Sequence, residues 1–307
     1  MPVTSFADPG ILLIDKSSGM TSHDVVARLR RHLGTRRIGH AGTLDPMATG
    51  LLVLGVNAAT RLLTFLVGLD KTYEATIRLG ASSTTDDSDG ELLGYAPADQ
   101  LARITDDQIT AGCRGLTGEI MQVPSSVSAI RIDGKRAHAR VRDGEVVQIP
   151  PRPVTVARFD VRDSRRESSW IDVDAVIDCS SGTYVRALAR DLGFRLGVGA
   201  HLTALRRTRV GPLNITEAVR LDDLETDTAL LAGARLVSPA AIAERIFPAW
   251  HLTPEQEDNL KHGRVKRLES PGHGRFAALN GEGRLVGLVD CSHEHVAILF
   301  NMSQESS

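Results

Sequence analysis

Apolar residues recur along this chain at two spacings, and the change between them marks out its elements. Val25, Val26, Leu29 and Leu33 return at helical intervals behind Thr21 and Ser22, residues suited to capping a helix start, and Gly34 is a natural stop. From Lys71 to Leu79 the spacing drops to two. Tyr73, Ala75, Ile77 and Leu79 fall on one side and Thr72, Glu74, Thr76 and Arg78 on the other, which predicts a half-buried strand with Tyr73 on its apolar face. Residues 170–179 alternate less cleanly and predict a further strand. After Ser180-Ser181-Gly182-Thr183 a helix is expected, with Val185, Leu188, Leu192 and Leu196 as its inward stripe. Arg186 falls in its first turn, where the helix dipole disfavours a cation, so this arginine calls for a carboxylate.

Helices interspersed with alternating strands, without a regular βαβ rhythm, predict an α+β fold: a mixed, mainly antiparallel sheet with flanking helices. The acidic stretch near Asp222 and the run Pro248-Ala249-Trp250 mark a boundary, dividing residues 1–246 from 247–307. Beyond it Thr253-Pro254-Glu255-Gln256 is the capping-box start of a short helix ending near Gly263. Strands are expected at 264–268, 275–280, 284–290 and 295–300, with Asn280-Gly281-Glu282-Gly283 as a turn, giving a small β-rich C-terminal domain.

The chain has 307 residues, 42% hydrophobic and 24% charged, the balance of an ordinary globular protein with a sizeable core. No apolar run approaches a membrane span, and the N-terminus lacks the basic-then-apolar pattern of a signal peptide. Cys113, Cys179 and Cys291 are odd in number and far apart, which speaks against a disulfide framework, so a reducing, cytoplasmic location is expected. A net charge of −2 argues against a general nucleic-acid coat, yet the average hides segregation. Residues 184–211 carry Arg186, Arg190, Arg195, Arg206, Arg207 and Arg209 against Asp191. Residues 131–142 carry Arg131, Lys135, Arg136, Arg140 and Arg142 against Asp133. Such segments fit a defined RNA-binding face, although each taken singly also reads as a solvated face.

The densest chemistry lies in residues 39–55, Gly-His-Ala-Gly-Thr-Leu-Asp-Pro-Met-Ala-Thr-Gly-Leu-Leu-Val-Leu-Gly, whose one carboxylate is Asp45. Taken alone, Leu44-Asp45-Pro46 reads as a helix start, with Asp as the cap and Pro at the first helical position. The surroundings point elsewhere. Gly39, Gly42, Gly50 and Gly55 let backbone come close to a large ligand, and His40 can stack or hydrogen-bond. Arg28, Arg30, Arg31, Arg36 and Arg37 lead in, with no acid after Asp24. A lone carboxylate among glycines beside a cationic approach suits covalent chemistry on a phosphate-bearing substrate.

The run His40-Ala41-Gly42-Thr43-Leu44-Asp45-Pro46-Met47-Ala48-Thr49-Gly50 resembles the catalytic motif of the TruB family, the tRNA pseudouridine-55 synthases. Further family-like segments follow the same order over residues 10–213. They are Asp15-Lys16 with Gly19-Met20-Thr21-Ser22, Lys71-Thr72-Tyr73, and Leu79-Gly80 with Asp86-Asp87-Ser88-Asp89-Gly90. Ser180-Ser181-Gly182-Thr183-Tyr184-Val185-Arg186 and Leu205-Arg206-Arg207-Thr208-Arg209-Val210-Gly211 complete the series.

The resemblance implies isomerisation of uridine-55 in the T arm of tRNA, by base flipping and an aspartate nucleophile, Asp45. It makes Arg186 the partner of that carboxylate and Asp87 the acid on the arginine's far side. Tyr73 becomes the platform under the uracil ring, His40 helps hold the flipped arrangement open, Leu205 packs against the base, and Tyr184 joins the substrate-binding set. On the residues alone, Tyr73 also reads as core packing, His40 as a turn histidine and the Arg186 pair as a structural bridge. Attack on C1′ of the ribose, attack on a uracil carbon and removal of a sugar proton are all compatible with Asp45. The implied isomerisation is redox-neutral and calls for no cofactor and no metal. The implied partner is the T stem-loop of tRNA, with no obligatory protein partner and a monomer expected. The C-terminal domain resembles the family's PUA domain in size and position.

The RNA-binding insert, about residues 123–150, departs from the family pattern, with Val127, Arg131 and His138 where aromatics and a lysine are usual. Other signals fail on their own terms. Asp87-Ser88-Asp89-Gly90 lacks the first and twelfth ligands of a calcium loop, and Gly197-Val198-Gly199 lacks the third glycine of a dinucleotide fingerprint. Cys291, His293 and His295 share one face if extended, but without a fourth ligand nearby for zinc. Two other functions compete: a non-catalytic tRNA-binding or folding chaperone, and a guide-RNA-dependent relative. The set Asp45, Tyr73 and Arg186 is one that a pure binder would not require.

Overall fold

Both spacings become helices and strands at the expected places in the computed structural model, which describes residues 8–125, 131–132, 135–136, 149–226, 236–293 and 295–302. In chain order, β1 (Gly10–Lys16) is followed by α1 (Ser22–His32), β2 (Ile38–Ala41), β3 (Thr49–Val56) and β4 (Lys71–Leu79). Next come α2 (Asp106–Arg114), β5 (Gly118–Gln122), β6 (Arg152–Arg166), β7 (Ile171–Cys179), α3 (Val185–Leu196) and β8 (Ala200–Val210). The chain continues through β9 (Val219–Arg220), α4 (Pro239–Glu244), β10 (Ala249–His251), α5 (Pro254–Lys261), β11 (Arg275–Leu279), β12 (Leu285–Asp290) and β13 (Ala297–Asn301). Two compact units emerge. One takes the described parts of 1–45, 51–67 and 211–307, and the other those of 46–50 and 68–210.

In the first unit α1 starts on a capping box. Thr21 Oγ1 accepts from the Asp24 amide at 3.1 Å, and the Asp24 carboxylate accepts from the Thr21 amide at 2.8 Å. Val25, Val26 and Leu29 form its buried stripe. β1 pairs in parallel with β9, Ile14 opposite Val219, and Ile11 bridges Val237. β2 runs antiparallel to β3, with His40 opposite Leu54. Leu51, Leu52, Val53 and Leu54 are all fully buried, the pattern of a strand covered on both faces.

The C-terminal residues of this unit form a four-stranded sheet in the order β10-β11-β12-β13, with only β10 and β11 parallel. Trp250, Leu252, Leu260, Val286, Val289 and Val296 belong to its core. α5 carries the expected capping box on Thr253 and Gln256. Two expectations here are corrected. Residues 264–268 form no strand but a single 3₁₀ turn (Val265–Arg267), because Arg264 bonds back to Asn259 through its amide at 2.8 Å and its side chain at 3.0 Å. The last strand begins only at Ala297. Asp290 first turns the chain by accepting from the Ser292 amide at 2.9 Å, so Cys291, His293 and His295 do not share a strand face.

The second unit is a mainly antiparallel sheet, in which β8, β4, β7, β6 and β5 follow one another and every neighbouring pair is antiparallel. Thr49 and Gly50, the start of β3, pair in parallel with Arg206 and Arg207 of β8. β4 keeps its two characters: Tyr73, Ala75, Ile77 and Leu79 are buried, while its other face carries a polar ladder shared with β7. There Asp172 accepts from Arg78 Nε and Nη2 at 2.7 Å each. Asp174 accepts from Thr76 at 2.7 Å and from Arg165, and Asp178 from Arg158 at 2.8 Å. α3 packs against β8 and β4, and α2 against β6. Of the expected insert, a short hairpin (Arg131–Ile132 with Lys135–Arg136) is described. Val127, His138, Arg140 and Arg142 lie outside the described residues. Among the described residues no helix is long and apolar enough to cross a membrane.

Candidate active site

The segment joining β2 to β3, residues 42–48, is a loop, and no helix follows Asp45. The capping expected of Leu44-Asp45-Pro46 gives way because the next residues are claimed by β3 pairing with β8. Gly50 makes that close approach possible. Its φ is +100°, and a Cβ there would stand 2.3 Å from the Arg207 carbonyl oxygen. Asp45 is half-buried in the loop. His40, half-buried in β2, has the His23 ring edge-on at 5.4 Å with planes at 84°. His40 and Asp45 belong to the first unit, and the remaining expected site residues belong to the second.

In the second unit Tyr73 lies on β4 between Ile177 of β7 and Arg207 of β8. Cross-strand neighbours point to one face of a sheet, so Tyr73 and Arg207 share a face, and Leu205, opposite Ala75, shares it too. Tyr73 and Leu205 are 8% and 7% exposed, and Arg207 only 1%. Lys71, at the start of the strand, donates to the Leu69 carbonyl at 2.6 Å. Burial first, then the Arg207 charge, draws its pKa down to about 8. Burial likewise pushes the thiol of Cys179, opposite Lys71, up to about 11.

Asp87 and Arg186 come together as the sequence requires. Arg186 Nη1 lies 3.1 Å from the Asp87 carboxylate and donates to the Thr85 carbonyl at 3.1 Å, with both charged side chains nearly inaccessible. The carboxylate also accepts from the Asp89 amide at 3.1 Å and from the Thr85 hydroxyl. The acidic loop is pinned to β8, where the Leu202 amide donates to Asp86 O at 3.0 Å. Tyr184 caps the N-terminus of α3 without a side-chain bond. Its amide donates to Gln122 Oε1 at 2.8 Å, and its carbonyl accepts from Gln122 Nε2 at 3.1 Å.

Three features escape the sequence reading. Arg190, one turn after Arg186, pairs with Asp86 at 3.2 Å and donates to the Val123 carbonyl at 2.7 Å. Burial outweighs Arg190 and raises the Asp86 pKa above the ordinary carboxylate value. The signal was available: two arginines four apart on a helix face two consecutive acids. The other two, the burial of Arg207 and of Lys71, follow only from the register of β8 on β4.

The fold is shared with the protein in the crystal structure of a Cbf5-Nop10-Gar1 complex, with a TM-score of 0.69 and 23% identity over 95% of this chain and 84% of that one. It is shared also with an H/ACA RNP bound to a substrate RNA containing 2'-deoxyuridine, with a TM-score of 0.67 and 23% identity over 94% and 83% of the two chains. In sequence, residues 30–185 match the TruB family pseudouridylate synthase (N terminal domain), and residues 186–248 the tRNA pseudouridylate synthase B C-terminal domain. The class is thus that of the pseudouridylate synthases. The tRNA pseudouridine synthase B of Corynebacterium efficiens is 54% identical over 292 residues, 95% of each chain. That of Leifsonia xyli subsp. xyli is 52% identical over 295 residues, 95% of this chain and 96% of the other. This chain belongs to the TruB family.

Proposed function

We propose that this chain isomerises uridine-55 in the T arm of tRNA to pseudouridine, as a stand-alone cytoplasmic monomer with Asp45 as the nucleophile. The observation that carries the reading is the 54% identity, over 95% of both chains, with a protein named tRNA pseudouridine synthase B. The buried Asp87–Arg186 pair supports it.

The reaction breaks the bond from C1′ to N1 of uracil and forms one from C1′ to C5, while C5 gives up its proton and the freed N1 takes one up. Nothing is oxidised or reduced, so the chemistry asks for no electron acceptor. Asp45 acts at C1′, at a ring carbon or on a sugar proton, and each route starts from the ionised carboxylate. As the resemblance implies, Arg186 is the partner of Asp45 and Asp87 the acid on the arginine's far side; a guanidinium in that role favours the ionised carboxylate and sets its rotamer. The uracil stacks on Tyr73, whose phenol lies near the departing C5 proton, while Leu205 packs against the base and Tyr184 borders it. His40 fills the place the flipped base leaves. The arginine-rich segments and a PUA-like domain from residue 247 onward grip the RNA phosphates.

The test is direct. The purified protein alone is incubated with an unmodified tRNA transcript and pseudouridine is mapped by position. A single product in the T loop is expected. Binding without product points to a chaperone, and product only with added guide RNA points to a guide-dependent enzyme; either result overturns the reading.

A further inference from the structure

The first turn of α1 is joined to the loop that carries Asp45. Ser22, the first residue of that helix, is fully buried. Its Oγ accepts from the Leu44 amide at 2.9 Å and donates to the Leu44 carbonyl at 3.2 Å. One hydroxyl thus serves both backbone groups of a loop residue that has no strand or helix around it. Leu44 as a whole is 3% exposed, so these groups have little access to water. The next residue is Asp45. On its far side Pro46 disfavours helical backbone at Asp45, so both flanks of the carboxylate are constrained. His23, the next residue of the helix, meets His40 edge to face at 5.4 Å. The turn that makes these contacts is locked by the Thr21–Asp24 capping box.

We propose that Ser22 is a positioning residue for Asp45: by holding Leu44 against the start of α1 it fixes the path of the loop that presents the carboxylate. The proposal rests on the reading of Asp45 as nucleophile. Removing the hydroxyl strands both Leu44 groups next to the reacting side chain, and the loop then samples other paths.

Ser22→Ala is assayed in single turnover at saturating tRNA, well below its melting temperature, beside a measurement of tRNA affinity. The chemical step is expected to slow about 10–100-fold, while Kd stays within roughly threefold. A serine with only a structural role would lower the melting temperature and leave the rate of the folded enzyme unchanged, and that result overturns the proposal. Asp45→Asn, run in parallel, separates the two levels of inference. Turnover retained in Asp45→Asn sinks the nucleophile and Ser22's role with it. Turnover abolished there but native in Ser22→Ala sinks the positioning role alone. If the alanine variant does not fold, Ser22→Cys, which keeps the volume with a weaker hydrogen-bonding group, is read by the same split between rate and affinity. A native rate in that variant also overturns the proposal.

Discussion

At the scale of single residues, the buried charges decide most. Arg186 places one nitrogen within reach of both the Asp87 carboxylate and the Thr85 carbonyl. Lysine keeps the charge but not the planar fork, so Arg186→Lys should lose activity by at least about 100-fold. It should still fold, at a cost of roughly 1–3 kcal/mol read by chemical denaturation. Full activity in the lysine variant would mean that the arginine is only a structural bridge. Lys71 makes a prediction of opposite character. Its pKa falls from the ordinary 10.5 to about 8 in the folded chain, so between those values the unfolded chain holds a proton that the folded chain has released. Folding stability attributable to Lys71 therefore rises with pH across that window. The stability of Lys71→Met relative to the native protein should fall by about 2 kcal/mol between pH 7 and pH 10, whatever its starting sign. A pH-independent difference in denaturation midpoints would show that the ammonium is solvated.

At the scale of elements, what was legible depended on whether local preference and tertiary pairing agreed. In β4 they do. One face is buried and the other carries the ladder with Asp172, Asp174 and Asp178, so strict alternation gives both the strand and the side on which Tyr73 lies. In α1 the cap, the stripe and the stop coincide, and the helix runs Ser22–His32 as read. At Asp45 they conflict. Asp-Pro favours a helix start, but the pairing of Thr49 and Gly50 with β8 takes the following residues, and that partner lies far along the chain. Residues 264–268 have a strand-like composition, yet the end of α5 turns them through Asn259. The same rule covers the candidate site. Asp45, Tyr73 and Arg186 are visible as motif residues, whereas the burial of Arg207 and Lys71 follows only from the register of β8 on β4.

At the scale of the molecule, the C-terminal sheet is tied into its own unit through residues 61–65. Phe247 meets Phe65 edge-on at 6.0 Å, Phe300 lies 5.8 Å from the same ring, and Arg61 donates to the Asn301 carbonyl. Removing residues from Phe247 onward should therefore lower the melting temperature as well as weaken tRNA binding. In the folded remainder, the single-turnover rate at saturating tRNA should stay within about tenfold of the full chain, roughly 1.4 kcal/mol on the barrier. A much larger loss would mean that this sheet helps build the active site. The pairing of Ile14 with Val219 has another consequence, felt at the ribosome. Residues 68–210 are contiguous and can close their sheet as they emerge, and β1 meets its neighbour β3 early, whereas its other edge must wait for β9, made near the end of synthesis. At roughly 5–20 residues per second, that wait is on the order of 10–40 s. Throughout it, the β9-facing edge of Gly-Ile-Leu-Leu-Ile stays unpaired, which makes nascent-chain aggregation a hazard that grows as translation slows.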